Sequence, residues 1–415
     1  MRGTQMQIQP IIAALRHHKA GTVLIALQIA LTLAIVCNAL FIIHQRTVHL
    51  SEPTGIDEAN VFVVESQWAG RQSDQQIDAQ IQADLVALRQ LPAVRDAAPA
   101  NSYPLRGGGW DNFITMKPDQ VQKTTDAAVY LSDTHLVDTL GLKLIAGRNF
   151  RPDEIEPMGM RENKTPPVAI VTKALADKLF PDGSALGKSF YTMSATPTTI
   201  IGIVARLQRQ EVDTWSRGYA YQAMLWPRRL DVSFGTYYIV RAKPGQLAAA
   251  MREAPKALLA QSRMRIIDPR DGVLSFAEIR HRAYDGDRGT VILMGIICAV
   301  LLVITGAGII GLTSFWVGQR RKQIGIRRAL GATRTDILRY FQTENLLIAG
   351  AGVVLGAVLA VGLNLWMMRQ LAMDRMPLSY VLAGIVVLLL LGQGAVFAPA
   401  RRASRVSPVE ATRSV

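Results

Sequence analysis

Four stretches of this chain, residues 20–43, 291–318, 346–368 and 376–398, are almost free of charge over twenty or more residues. A helix of about 20 apolar residues crosses the roughly 30 Å hydrocarbon core of a bilayer. Within that core the backbone must satisfy its own hydrogen bonds, so these stretches are expected to be helices. The first is longer than the ~7–15 apolar residues of a secretory leader, and the bulky "FIIHQRTVHL" that follows has no small-residue cleavage site. It reads as a retained membrane helix. The other long segment, between the first and second apolar stretches, is polar enough to fold in water.

The formal charge of +14 suggests nucleic acid until it is mapped. Arg2, Arg16 and Lys19 precede the first apolar stretch. Arg320, Arg321, Lys322, Arg327, Arg328, Arg334 and Arg339, against Asp336, lie between the second and third. Arg401, Arg402, Arg405 and Arg413, against Glu410, follow the fourth. If the four helices alternate in direction, these basic segments share one side, and the positive-inside rule makes that side the cytoplasm. The basic balance therefore reports topology and gives no reason to expect a nucleic-acid partner. The expected order is a cytoplasmic segment (1–19), a first membrane helix (20–43), an extracytoplasmic domain with its stalk (44–290) and a second membrane helix (291–318). A cytoplasmic segment (319–343), a third helix (344–368), a short outer loop (369–375), a fourth helix (376–398) and a cytoplasmic tail (399–415) complete it. Both cysteines, Cys37 and Cys298, fall in apolar stretches, so no disulfide framework supports the outer domain.

That domain alternates strand-like and helix-like patterns. "NVFVVES", "AAVYL", "PPVAIVT", "TTIIGIVA" and "TYYIVRA" are β-branched or aromatic runs. "SDTHLVDTLG", "TKALADKLF" and "GQLAAAMREAPKALLAQ" have helical spacing. Ser73 and Gln76 form a capping-box pattern opening a helix with apolar Ile77, Ile81, Leu85, Leu88 and Leu91, closed by Pro92. The fold class is a membrane protein of four transmembrane α-helices with a large α/β (α+β) extracytoplasmic domain, of two lobes, inserted between the first and second. "SFAEIRHRAYDGDRG" then leads to the second membrane helix as a stalk.

Chemistry-bearing patterns are few. "FPDGSALGKSF" ends in Gly187-Lys188-Ser189, like a phosphate-binding loop, but only three residues separate Gly183 from Gly187 where four are needed. A helical pattern precedes it and an apolar "SFYTM" follows, the reverse of the strand, loop and helix that such a loop requires. It reads as a helix-to-strand turn. The six histidines show no metal-ligand spacing. Asp133 and His135 read as part of a helix cap, and "RGGGW" as a flexible turn or close backbone contact. No catalytic residues, metal site or cofactor are expected on this chain.

The informative stretch is "GQRRKQIGIRRALGATRTDILRYFQTENLLI", residues 318–348. Ile326, Ala329 and Leu330 fall on one helical face, with basic residues largely elsewhere. Gly331 is placed to end that helix in a left-handed conformation. Thr333 and Asp336 open the next helix. In the membrane stretches, Ala26, Ala30 and Ala34 form a small-residue stripe that Asn38 continues, and Gly352, Gly356 and Ala360 form another. Such stripes let helices approach closely, within one subunit as easily as between two, so they are expected in helix packing or a dimer interface, the first at a dimer interface.

"KQIGIRRALGATRTDIL" resembles the signature of the MacB/FtsX-like permeases, the type VII ABC transporters. "ALRHHKAGTVLIALQIALTLAIV", "DTLGLKLIAGRNF", "PVAIVTKALADKLFPDGSALGKSF" and "PARRASRVSPVEATR" resemble other parts of that family in the same order. The resemblance implies an inner-membrane permease subunit with both termini cytoplasmic and no ATPase of its own. It would work as a homodimer or heterodimer on a cytoplasmic ABC ATPase dimer that binds the ATP and magnesium. A periplasmic adaptor and outer-membrane channel are possible further partners in the family. It implies that Gln323, Ile324, Gly325, Ile326, Arg327, Arg328, Ala329, Leu330 and Gly331 form the ATPase-coupling helix. The usual glutamate before Ile-Gly is Gln323 here, which removes one charge from that contact. Two roles follow: ATP-driven mechanotransmission for efflux of a drug, peptide or lipid-linked substrate, or FtsX-like control of an extracytoplasmic partner.

Overall fold

The computed structural model describes residues 19–70, 72–159, 164–192, 194–211, 217–231, 235–371 and 373–405. Arg2, Arg16, Glu410 and Arg413, and the end of the C-terminal signature, lie outside them. The helices are α1 (Lys19–Leu50), α2 (Asp74–Arg89), α3 (Leu136–Leu140), α4 (Lys173–Leu179) and α5 (Leu247–Gln261), followed by α6 (Phe276–Ala283), α7 (Asp285–Gln319), α8 (Arg321–Ala329), α9 (Arg334–Leu371) and α10 (Leu378–Ser404). They divide between two compact units, one of Met1–Ser51 with Asp287–Val415 and the other of Glu52–Gly286.

In the first unit α1, α7, α9 and α10 are long and apolar enough to cross a membrane. At 1.5 Å per residue the 32 residues of α1 and the 35 of α7 extend about 48 and 52 Å, well beyond the hydrocarbon core. The two small-residue stripes meet inside this one chain. A Cβ added at Gly352 would come within 2.7 Å of the Ala26 carbonyl oxygen, and one at Gly356 within 2.8 Å of that of Ala30. One turn on, the Asn38 amide donates to the Ala34 carbonyl at 2.9 Å and to the Ala360 carbonyl at 3.0 Å. Ala30, Ala34 and Ala360 are buried. Of the two uses open to the first stripe, its contacts here serve packing within one subunit. The glycines of α9 have no side chains to hold α1 away, so α9 occupies it. Polar bonds bring α7 to another face of α1: Thr32 and Thr305 pair at 2.8 Å, and the Gln28 amide donates to the Ile304 carbonyl at 3.1 Å.

The second unit has two principal sheets, each with its own core, in keeping with the expected two lobes. In the first, β13 (Arg265–Ile266), β1 (Val61–Trp68), β12 (Thr236–Ala242) and β2 (Val94–Ala100) lie in that order, with β14 (Val273–Ser275) also on β1. Alternation along the strands turns Phe62, Val64, Tyr238 and Val240 toward Ile77, Ile81, Leu85, Ala254 and Leu258 of α2 and α5. The capping box at Ser73 and Gln76 forms as the spacing predicts. Inside this core the carboxylate of Asp84 meets the Arg265 guanidinium, both side chains 0% exposed. The Tyr238 hydroxyl (2.5 Å) and the Gln80 amide (3.1 Å) also donate to it.

The second sheet runs β3 (Trp110–Ile114), β4 (Thr125–Leu131), β10 (Ala223–Trp226), β7 (Val168–Thr172), β9 (Thr198–Val204) and β5 (Leu144–Gly147), with β8 (Ser189–Phe190) on β9. It is mixed, with β4–β10 and β7–β9 parallel, and α4 packs Leu175 and Leu179 into the cluster on its face. A small parallel pair, β6 (Glu156–Gly159) and β11 (Arg228–Asp231), completes the strands. "FPDGSALGKSF" is the turn from α4 to β8, with Gly183 and Gly187 at φ of 77° and 80°. The Gly187 N–H donates to the Ile200 carbonyl at 2.8 Å and so serves the sheet. Asp133 accepts from the N–H groups of His135 (2.8 Å) and Leu136 (3.0 Å), a cap for α3. The His135 ring turns away to Asp96 at 2.9 Å.

Candidate functional site

The segment between α7 and α9 is a short helix with defined ends. At its C-terminus Gly331 takes φ of 102°. Its N–H donates to the Arg328 carbonyl at 3.1 Å, and the Ala332 N–H donates to that of Arg327 at 3.0 Å. This pair of bonds is a Schellman motif, which satisfies carbonyls that a helix end would leave open. One residue later the Thr333 N–H donates to the Asp336 carboxylate at 2.9 Å, and the Asp336 N–H donates to the Thr333 hydroxyl at 3.2 Å. Three residues, Gly331 to Thr333, thus turn the chain between two capped helices.

The inner face of α8 is fixed to the helix bundle. Ile324, 4% exposed, joins the cluster that holds Ile337 and Phe341 of α9, and Gly325 is buried beside it. At the start of α8, Arg320 Nη1 lies 3.0 Å from both carboxylate oxygens of Glu344, whose side chain is 3% exposed. The Arg327 guanidinium lies 5.0 Å over the Tyr340 ring. These contacts leave the other face open. Ile326 is 48% exposed and Leu330 83%, with Gln323, Arg327 and Ala329 also exposed and Arg328 half-buried.

Of the nine expected coupling residues, Ile324 and Gly325 therefore anchor the helix. Ile326, Ala329 and Leu330 form its outward ridge, framed by Gln323 and Arg327, and Gly331 ends it. Glu344, Arg320 and Tyr340 are the residues that spacing alone does not pick out as anchors. The available signal was a glutamate two residues before an apolar stretch, since a carboxylate that close to a membrane core needs a partner. Chemically the ridge offers apolar area and cationic groups, and it holds no nucleophile or general base.

The inserted domain contains a cleft of about 790 Å³ lined by Glu65, Tyr103, Leu105, Arg106, Glu211 and Arg282, among others. Its polar groups largely bond one another: the Tyr103 hydroxyl donates to Glu65 at 2.6 Å, and Arg282 pairs with Asp271 at 2.7 Å. Burial and the neighbouring Glu65 raise the Tyr103 hydroxyl far above the usual phenol range, so it stays a donor. Among the described residues no group of three or more His, Cys, Asp or Glu could hold a metal ion.

Four membrane helices, an α/β domain inserted after the first, and a short capped helix between the second and third define a membrane permease of the ABC transporter class. Two family models match the chain: the MacB-like periplasmic core domain over residues 22–258 and the FtsX-like permease C-terminal over residues 295–408. The chain belongs to the MacB/FtsX-like permease family. It is 26% identical over 331 residues to the macrolide export ATP-binding/permease protein MacB of Chromobacterium violaceum, a match covering 77% of this chain and 49% of that one. It is also 26% identical over 298 residues to the uncharacterized ABC transporter permease YvrN of Bacillus subtilis, covering 69% of each. The chain spans about half the length of the MacB relatives it matches. Among solved structures, the periplasmic region of MacB from Actinobacillus actinomycetemcomitans aligns at a TM-score of 0.33 and 14% identity, covering 57% of this chain and 97% of that one.

Proposed function

We propose that this chain is the membrane subunit of an ABC exporter and takes its power from a separate cytoplasmic ATPase through α8. The observation that carries the reading is the two-faced character of that helix. Its inner face is pinned by Ile324 and the Arg320–Glu344 pair, while Ile326 and Leu330 stand exposed on the outer face. An apolar ridge in a cationic frame suits a groove with acidic or carbonyl rims, and burying a leucine stabilises such a contact by about 1.5–3 kcal/mol. Because the inner face is anchored, a push on the ridge moves α7 and α9 instead of bending a loop.

In this reading both termini and α8 are cytoplasmic, the inserted domain is extracytoplasmic, and the permease works as a dimer with an identical or related subunit. ATP and magnesium reside on the partner ATPase. Closure of the ATPases moves the membrane helices and, through them, the inserted domain, which drives export of a drug, peptide or lipid-linked substrate with an adaptor and outer-membrane channel where these exist. The macrolide exporters among the relatives support export over FtsX-like control of an outer partner. Co-purification with its cognate ATPase tests the reading: Leu330→Asp is expected to abolish it, and unchanged assembly and ATPase activity would exclude the coupling role of α8.

A further inference from the structure

The chain enters the inserted domain at Glu52 and leaves it at Gly286. The two connections are cross-tied, and both are fixed to one short segment of the domain. On the entering side the Thr54 carbonyl accepts the Gln208 N–H at 2.8 Å. Gly55, at φ of 89°, lies so close to Arg206 that a Cβ there would come within 2.4 Å of the Arg206 carbonyl oxygen. The Thr54 hydroxyl donates to Glu58. On the leaving side Arg280 of α6 grips Glu58 with both arms, Nε to Oε2 at 2.8 Å and Nη2 to Oε1 at 2.6 Å, and its Nη2 also donates to the Glu52 carbonyl at 3.0 Å. Four residues on, Tyr284 is 0% exposed and its hydroxyl accepts from the Gln208 amide at 3.2 Å. Gln208 is itself 1% exposed, and its carbonyl accepts the Tyr130 hydroxyl of β4 at 2.7 Å. The membrane unit has a tie of its own, with Arg46 of α1 2.5 Å from Asp287 of α7.

Resting on the reading that motion passes from the membrane helices to this domain, we infer that Arg280 and Glu58 fasten the two connections into one handle, which delivers that motion at Gln208. A bidentate guanidinium–carboxylate pair fixes orientation as well as distance, so neither connection shifts without the other. A displacement of the pair meets the domain at Arg206 to Gln208, just after β9, and passes through Tyr130 into β4 of the second sheet. Arg280 is thus a positioning residue: it lets one rigid element bias another, which is the physical content of coupling between distant parts. The opposite face of α6 presents Ile279, Arg282 and Ala283 to the cleft, so the handle also forms one wall of that cleft.

The test uses the full chain in lipid nanodiscs without ATPase, so that failure to bind an ATPase and failure of the handle are told apart. Spin labels at Ala59→Cys and Ala277→Cys, both exposed positions on the two connections, replace the native cysteines as labelling sites in a Cys37→Ser, Cys298→Ser background. A second pair at Val86→Cys and Leu259→Cys, on α2 and α5, reports general order. The account expects one narrow distance for the first pair, and a distribution about twofold broader in Arg280→Ala and Glu58→Gln, with the second pair unchanged. The charge swap Glu58→Arg with Arg280→Glu should narrow it again. An unchanged first pair, or equal broadening of both pairs, would overturn the inference, the second result because it makes the ion pair a general stabiliser only.

Discussion

The inserted domain and the membrane unit handle burial in opposite ways. The domain buries charge: Asp84 and Arg265 lie in its core with Tyr238, Gln80 and Ser66 as further partners. The membrane unit buries contact between backbones, Gly352 and Gly356 admitting α1 against α9. Its buried ion pair of Arg320 with Glu344 lies beside the helix proposed to receive force. A network satisfied on all sides makes a rigid body. A close-packed helix pair with a buried polar anchor at one end makes a lever. The difference teaches where deformation is resisted and where movement can enter.

The largest effect is expected inside the domain. Asp84→Ala leaves the Arg265 charge buried without its carboxylate, which costs about 3–5 kcal/mol when such a pair is broken. Thermal unfolding should show the domain melting at much lower temperature while the membrane helices keep their helical signal. Next is the anchor of α8. Arg320→Ala strands Glu344 and should cost about 3 kcal/mol, the low end for a buried pair because Arg320 keeps 12% exposure. Maleimide labelling of an Ile324→Cys variant should then rise from negligible to extensive. Gly356→Leu should follow at roughly 1–3 kcal/mol of overpacking, read as reduced cross-linking between cysteines placed on α1 and α9.

A smaller effect is set by pH at the handle. Burial pushes the Glu58 carboxyl up, but the bonds from Arg280 and Thr54 outweigh it and hold the group below the usual carboxylate range. A carboxylate held low in the folded state stabilises fully above its ordinary value near about 4.3 and loses that contribution as pH falls through the lowered value. Hydrogen exchange around residues 52–60 and 276–284, corrected for intrinsic rates, should therefore accelerate only in acid. In Glu58→Gln it should already be fast at neutral pH.

Much of this comparison was legible in the sequence, for reasons that differ between the two units. Apolar length reveals membrane helices directly, and the cap patterns at Ser73, Thr333 and Gly331 are local, so each forms where its spacing places it. The strands with β-branched or aromatic runs also appear where expected. Most of the missed strands are short, and two of them show why local pattern failed. β2 contains Pro99, which its place at the end of the sheet order tolerates, and β10 is only four residues long but lies between β4 and β7. "RGGGW" read as a turn or a close contact, and it is both: Gly109 packs against the Gln210 side chain, and Trp110 opens β3. Partners far apart along the chain were not legible. Asp84 with Arg265, Glu58 with Arg280, and the choice of α9 to fill the first-span stripe all depend on tertiary placement, and no local spacing encodes them.

The central claim is that the outer face of α8 serves a partner while its inner face serves the fold. Leu330, 83% exposed, separates the two. Leu330→Asp should leave the stability of the isolated permease within about 0.5 kcal/mol of the parent, as for an ordinary surface substitution. It should weaken association with the cognate ATPase by at least about tenfold, which corresponds to 1.4 kcal/mol. The direct measurement is the dissociation constant of that ATPase for the nanodisc-embedded permease, with the melting temperature of each variant recorded beside it. An unchanged constant at unchanged melting temperature would contradict the account.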